Sequence, residues 1–299
     1  MIWSSLKIWF LACRPKTLPA AIAPVILGSA MALGDGGFHW PSAFLCFWGA
    51  LFIQIGTNLA NDYYDFKKGT DTSERTGPVR VTQAGLIAPK AVQIAAFFSF
   101  GIALIIAFEL SLRGGWPLLA IGIVAIVSGF LYTAGPKPLG YNGLGEFFVF
   151  IFFGPVAVAG TYYIQTKEIN PAVILTGIAP GLLSAAILVV NNLRDIETDR
   201  KANKKTLAVR FGKTFTQMQY ILFISTASLM PLVIYMVIHE RIHILWSSVI
   251  LLFATFSIHT VCNKDDGLSL NQALSNTGLL LLTYSLLFSF GWLYADLRF

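Results

Sequence analysis

The stretch from Pro171 to Asp199 reads PAVILTGIAPGLLSAAILVVNNLRDIETD. Residues 171–192 carry no charge, and a bilayer core asks for about 20 largely apolar residues per helix. This segment is therefore a membrane-spanning helix. Its character changes abruptly at the end, where Asn191 and Asn192 lead into Arg194, Asp195, Glu197 and Asp199. The same event occurs earlier in the chain. An apolar span over 43–61 runs into Asn58, Asp62 and Asp65. Both spans thus deliver Asn-x-x-x-Asp to a membrane surface, once as Asn58/Asp62 and once as Asn191/Asp195.

Working outward, further apolar spans lie near 17–34, 90–110, 116–133, 145–164, 216–238, 243–261 and 274–295. Only 12% of the 299 residues are charged, against roughly 25% in soluble domains. The prediction is an all-α integral membrane protein of about nine helices, forming one domain over 1–299. The matched patches end the second and sixth spans, an offset that suggests duplicated four-helix units plus one helix. Lys7, Arg14 and Lys16 interrupt the opening residues, so the first span and not a cleavable signal is expected to direct insertion. The net charge of +6 is too dispersed to suggest nucleic acid. Cys13, Cys46 and Cys262 show neither a disulfide framework nor metal-ligand spacing.

Lysine and arginine set the orientation. With the N-terminus inside, the outer segments carry only Arg113, Lys167, Arg241 and Arg298. The two Asp loops, near 62–89 and 193–215, then face the cytoplasm. On continuous helices Asn58, Asp62 and Asp65 share one face, and so do Asn191, Asp195 and Asp199. Carboxylates brought together in this way repel one another. A hard divalent cation relieves that repulsion, and ligands that are all oxygen favour Mg²⁺. Mg²⁺ in turn shares its shell with phosphates. Cations for a diphosphate lie in the same loops, among them Lys68, Arg80, Arg200 and Lys204. Acids gathered at one face argue against a transporter, whose sites lie near the midplane.

NLANDYYD from Asn58 and NNLRDIETD from Asn191 resemble the two aspartate motifs of the UbiA-type intramembrane prenyltransferases. RPKTLPA from Arg14, KKGTDT from Lys67, GPVRVTQAG from Gly77 and KKTLAVRFG from Lys204 resemble one branch, the 1,4-dihydroxy-2-naphthoate polyprenyltransferases of menaquinone synthesis. The resemblance implies a nine-helix bundle around a central cavity in a cell inner membrane. It implies Mg²⁺, a polyprenyl diphosphate donor and 1,4-dihydroxy-2-naphthoate as acceptor, with loss of CO₂. It maps Asn58, Asp62 and Asp65 onto the first motif and Asn191, Asp195 and Asp199 onto the second. Gly69 stands where many relatives have a third Asp, with Asp71 two positions on. The family's Tyr-x-x-x-Lys element is met by Tyr132 and by Lys137, one residue further away, as a diphosphate ligand. Other aromatic acceptors, such as 4-hydroxybenzoate or homogentisate, are the alternative within the family.

Overall fold

The computed structural model describes residues 2–70 and 77–294, which are helical with no strand. Asp71 lies outside the described residues. Eight helical segments among them are long and apolar enough to cross a membrane, and a shorter apolar helix covers Trp116–Leu131. The chain crosses the bundle nine times, in alternating directions: α2 (Leu18–Gly34), α3 (Trp40–Lys67), α4 (Pro89–Gly114), α5 (Trp116–Leu131), a broken pair α6 (Gly145–Phe152) and α7 (Pro155–Thr166), α8 (Pro171–Arg194), α10 (Leu207–Ile238), a 3₁₀ turn Ile242–Val249 continued by α11 (Ile250–Asn263), and α12 (Gly267–Tyr294). Alternation brings the ends of α3 and α8 to the same side.

Capping signals account for several helix starts. Asn170 accepts from the Val173 amide at 3.0 Å, with Pro171 in the first turn of α8. Thr206 caps α10 by accepting from Val209, and Pro89 opens α4. The fifth span is broken before Pro155. A Cβ on Gly154 would meet the Gly177 and Phe150 carbonyl oxygens at 2.5 Å each, so the chain passes α8 here with no room for a side chain. The seventh helix begins earlier than the span predicted from 216. It turns at Gly212, whose φ of 82° is in the left-handed region, and its apolar part follows that turn.

Two short helices were not anticipated. α1 (Ile2–Ala12) precedes the first span, and its Ile8, Trp9 and Ala12 pack with Leu59, Val81 and Val92. α9 (Ile196–Lys201) follows α8 after a break at Asp195, where φ is −98° and ψ 10°. α8 is the central helix. It packs against α2, α6, α7, α10 and α12, and Leu183, Val189 and Val190 on it are fully buried.

Candidate active site

α3 runs past its apolar part as predicted and carries Asn58, Asp62 and Asp65 in one continuous helix, all three buried. Their side chains nonetheless part company. At 3.6 residues per turn, Asn61 falls roughly 60° to one side of Asn58 and Asp62 roughly 40° to the other. The Asn61 side lines a cavity of about 360 Å³, together with Asn58 and Asp65. Asp62 is not in that wall. Its two carboxylate oxygens accept from the backbone amides of Val81 and Thr82, at 3.1 and 3.0 Å. Asp62 thus anchors the loop that carries Arg80.

Asp65 is the hub of the cavity mouth. The Tyr141 hydroxyl donates to it at 2.7 Å. Arg80 Nη2 lies 3.4 Å from one of its oxygens and Lys204 Nζ 3.6 Å. Lys204 also reaches Asp199, at 3.4 Å. One ammonium therefore stands between a carboxylate of the first motif and a carboxylate of the second. The Tyr141 ring lies between two ammonium groups, Lys68 and Lys204 each 4.7 Å from its centroid. Burial raises the Asp199 carboxyl to about 6, with the charges of Asp195 and Asp65 adding to the effect and Lys204 opposing it.

α8 does not continue through the second motif, because it breaks at Asp195. The Asp199 amide still donates to the Asp195 carbonyl at 2.8 Å, so near-helical register persists and both carboxylates line the cavity. Arg194 organises this rim. It grips Asp195 with two bonds, at 2.8 and 2.6 Å, and donates to Asn191 Oδ1 at 2.8 Å.

The predicted diphosphate ligands divide. Arg80 and Lys204 line the cavity. Lys68 donates to the Thr133 and Gly135 carbonyls, at 2.7 and 3.3 Å. Arg200 is exposed and pairs with Glu197 at 2.9 Å, and Lys137 is exposed. Neither these two nor Lys68 belongs to the cavity wall. Tyr132 does belong to it.

Three residues of the wall were missed. Asn61 accepts from Arg14 at 3.0 Å, and both line the cavity. Asn61 had a signal, being three residues after Asn58. Arg14 heads a segment that drew attention only through its resemblance. Tyr141 had no local signal, because it reaches Asp65 across 76 positions. Asn58 itself donates to the Cys13 carbonyl and to Thr17, at 2.9 and 3.0 Å, and so ties the Arg14 turn to α3.

Away from this polar mouth the wall is largely apolar, with Ile106, Leu110, Phe148 and Phe152 beside small groups such as Gly49 and Ala107. The site therefore joins a charged rim to an apolar pocket. Such a shape suits a substrate with an anionic head and a hydrocarbon tail.

Residues 21–287 match the model of the UbiA prenyltransferase family. A 1,4-dihydroxy-2-naphthoate octaprenyltransferase from Haemophilus influenzae is 38% identical over 305 residues, covering 97% of each chain. The protein of that name from Escherichia coli is 36% identical, covering 96% of each. A UbiA homolog from Archaeoglobus fulgidus, solved with GPP and Mg²⁺, shares the fold with a TM-score of 0.68 at 16% identity, over 96% of this chain and 99% of that one.

Proposed function

The chain belongs to the UbiA prenyltransferase family, and we propose that it transfers a polyprenyl group from polyprenyl diphosphate to 1,4-dihydroxy-2-naphthoate. Diphosphate and CO₂ are released. The acceptor rests on relatives named for this reaction that align over nearly the whole chain. The chemistry rests on one observation: Asp65 and Asp199 meet a single ammonium at the polar mouth of an apolar cavity.

Mg²⁺ fits that mouth. The donors are all oxygen, and the gap between Asp65 and Asp199 already favours a cation, since Lys204 stands in it. Among the described residues no group of three or more His, Cys, Asp or Glu is placed to hold a metal ion by itself, so waters and phosphate oxygens would have to complete the shell of an ion held here. Asp65, Asp195 and Asp199 would hold it, with the oxygens of Asn61 and Asn191 beside them. Bound there, it supplies positive charge against the diphosphate as the carbon–oxygen bond breaks.

The chain's own residues do the rest. Arg80 and Lys204 bind the phosphate oxygens. Tyr141 keeps Asp65 turned into the mouth. The apolar wall takes the isoprenoid and excludes water, so the allylic cation meets the aromatic ring and not a hydroxide. The test is diphosphate release by purified protein given a short prenyl diphosphate and the naphthoate. Turnover is expected to fall at least about 100-fold when EDTA removes the metal and to return with Mg²⁺. Full turnover in EDTA overturns the metal assignment, and no prenylated naphthoate in either condition overturns the acceptor.

The carboxylate mouth faces the cytoplasm in this reading, the protein being a multi-pass inner-membrane enzyme, because the lysine and arginine imbalance favours that side. Single cysteines at Lys90 and Lys167 in a cysteine-free background test it. An impermeant maleimide is expected to label position 167 in intact cells and position 90 only after permeabilisation. The opposite pattern reverses the topology.

A further inference from the structure

One turn deeper than the carboxylate rim lies a polar contact that the diphosphate site does not use. Asn192, on α8, is 6% exposed and lines the cavity. Its Nδ2 donates to Glu146 Oε1 at 2.8 Å. Glu146 is itself buried, at the start of α6. A carboxylate can only accept, so the contact fixes which way the amide is turned: Nδ2 toward Glu146, Oδ1 away from it. Tyr132 lines the same cavity beside this pair, its hydroxyl 3.2 Å from where a Cβ on Gly145 would stand. Neither Asn192 Oδ1 nor the Tyr132 hydroxyl makes a hydrogen bond to any described residue.

Asn192 lies three residues before Asp195, about 4.5 Å nearer the membrane interior along the helix. A diphosphate held at the rim puts its reacting carbon at about this depth, and the attacking ring must lie beside it. An amide oxygen demands a donor from its ligand, and a phenolic hydroxyl is one. Resting on the function proposed above, we infer that Asn192 accepts a hydrogen bond from a ring hydroxyl of the aromatic acceptor, with Glu146 as the positioning residue that sets the amide. The bond holds the ring over the reacting carbon. It also leaves more electron density on the hydroxyl oxygen, and so on the ring carbon beside it.

The experiment follows the intrinsic fluorescence of 1,4-dihydroxy-2-naphthoate as it binds purified protein, alongside KM for each substrate. Asn192→Leu is expected to weaken naphthoate binding about tenfold, the scale of one net hydrogen bond, with KM for the prenyl diphosphate changing less than about twofold. The 1,4-dimethoxy analogue cannot donate, and wild type and variant are expected to bind it equally. Glu146→Leu should behave as Asn192→Leu does. Glu146→Gln should restore affinity, because its amide oxygen can still accept from Asn192. A variant that raises both KM values together, that weakens the dimethoxy analogue as much as the diol, or that leaves naphthoate binding untouched overturns the inference. Wild type that does not bind the naphthoate overturns the functional reading instead. The same variants, measured on whichever hydroxyaromatic then binds, decide this one separately.

Discussion

Asp65→Asn is expected to lower turnover by about 1,000-fold, roughly 4 kcal/mol of transition-state stabilisation, while the bundle stays folded. Asp65 meets Tyr141, Arg80 and Lys204 at once. An amide there keeps the shape and can still accept from Tyr141. It removes the charge that gathers Arg80 and Lys204 and that is proposed to hold the metal. Asp62→Asn is the matched control and should be much milder, about tenfold. Its carboxylate serves two backbone amides, at 3.1 and 3.0 Å, and an amide side chain can keep one of those bonds. Its loss should show as faster proteolysis of the 77–88 loop. Diphosphate release and limited proteolysis of both variants decide the matter. If Asp62→Asn proves as inactive as Asp65→Asn with the loop still protected, Asp62 belongs to the catalytic rim.

The second large effect concerns the acceptor's carboxyl group. Naphthoate labelled at the carboxyl carbon is expected to give an unlabelled prenylated product, with all label in CO₂. Attack by the carboxyl-bearing ring carbon forms the new carbon–carbon bond and places no hydrogen on that carbon. The neighbouring hydroxyl gives up its proton and becomes a carbonyl. Departure of CO₂ then returns its bonding pair to the ring, and the carbonyl takes a proton back. No base is needed to strip hydrogen from carbon. The carboxylates that line the cavity, Asp65, Asp195 and Asp199, are those proposed to hold the metal at its mouth. Glu146 stands behind Asn192. Label retained in the product, or turnover of 4-hydroxybenzoate in preference to the naphthoate, defeats this assignment and leaves the diphosphate site standing.

Much of this architecture was legible in the chain. Hydropathy placed nine crossings, because an apolar run long enough for the bilayer is a local property of consecutive residues. The spans 17–34 and 171–192 agree with α2 (Leu18–Gly34) and α8 (Pro171–Arg194) to within two residues. Both acidic patches stand at the ends of apolar spans in the chain itself, and alternation of the helices puts them at one end. The broken fifth crossing was half visible: Pro155 marked a kink, but the close pass of Gly154 against Gly177 involves a partner further along the chain.

Local composition thus fixes the membrane class, the number of crossings and the residue types brought to one surface. Which of those residues meet depends on how distant segments pack. Asp62 and Asp65 are three positions apart and were equivalent in spacing, yet one seats a loop 19 residues on and the other reaches Tyr141 76 residues on. Lys68, Lys137, Arg200 and Lys204 looked alike as loop cations, and of these only Lys204 lines the cavity. Helical periodicity sets a side chain's direction to within a few tens of degrees. That margin is the difference between the shoulder of α3 and its cavity face, and what resolves it is the return of the 77–88 loop and of the Tyr141 turn, long-range contacts that no local pattern records.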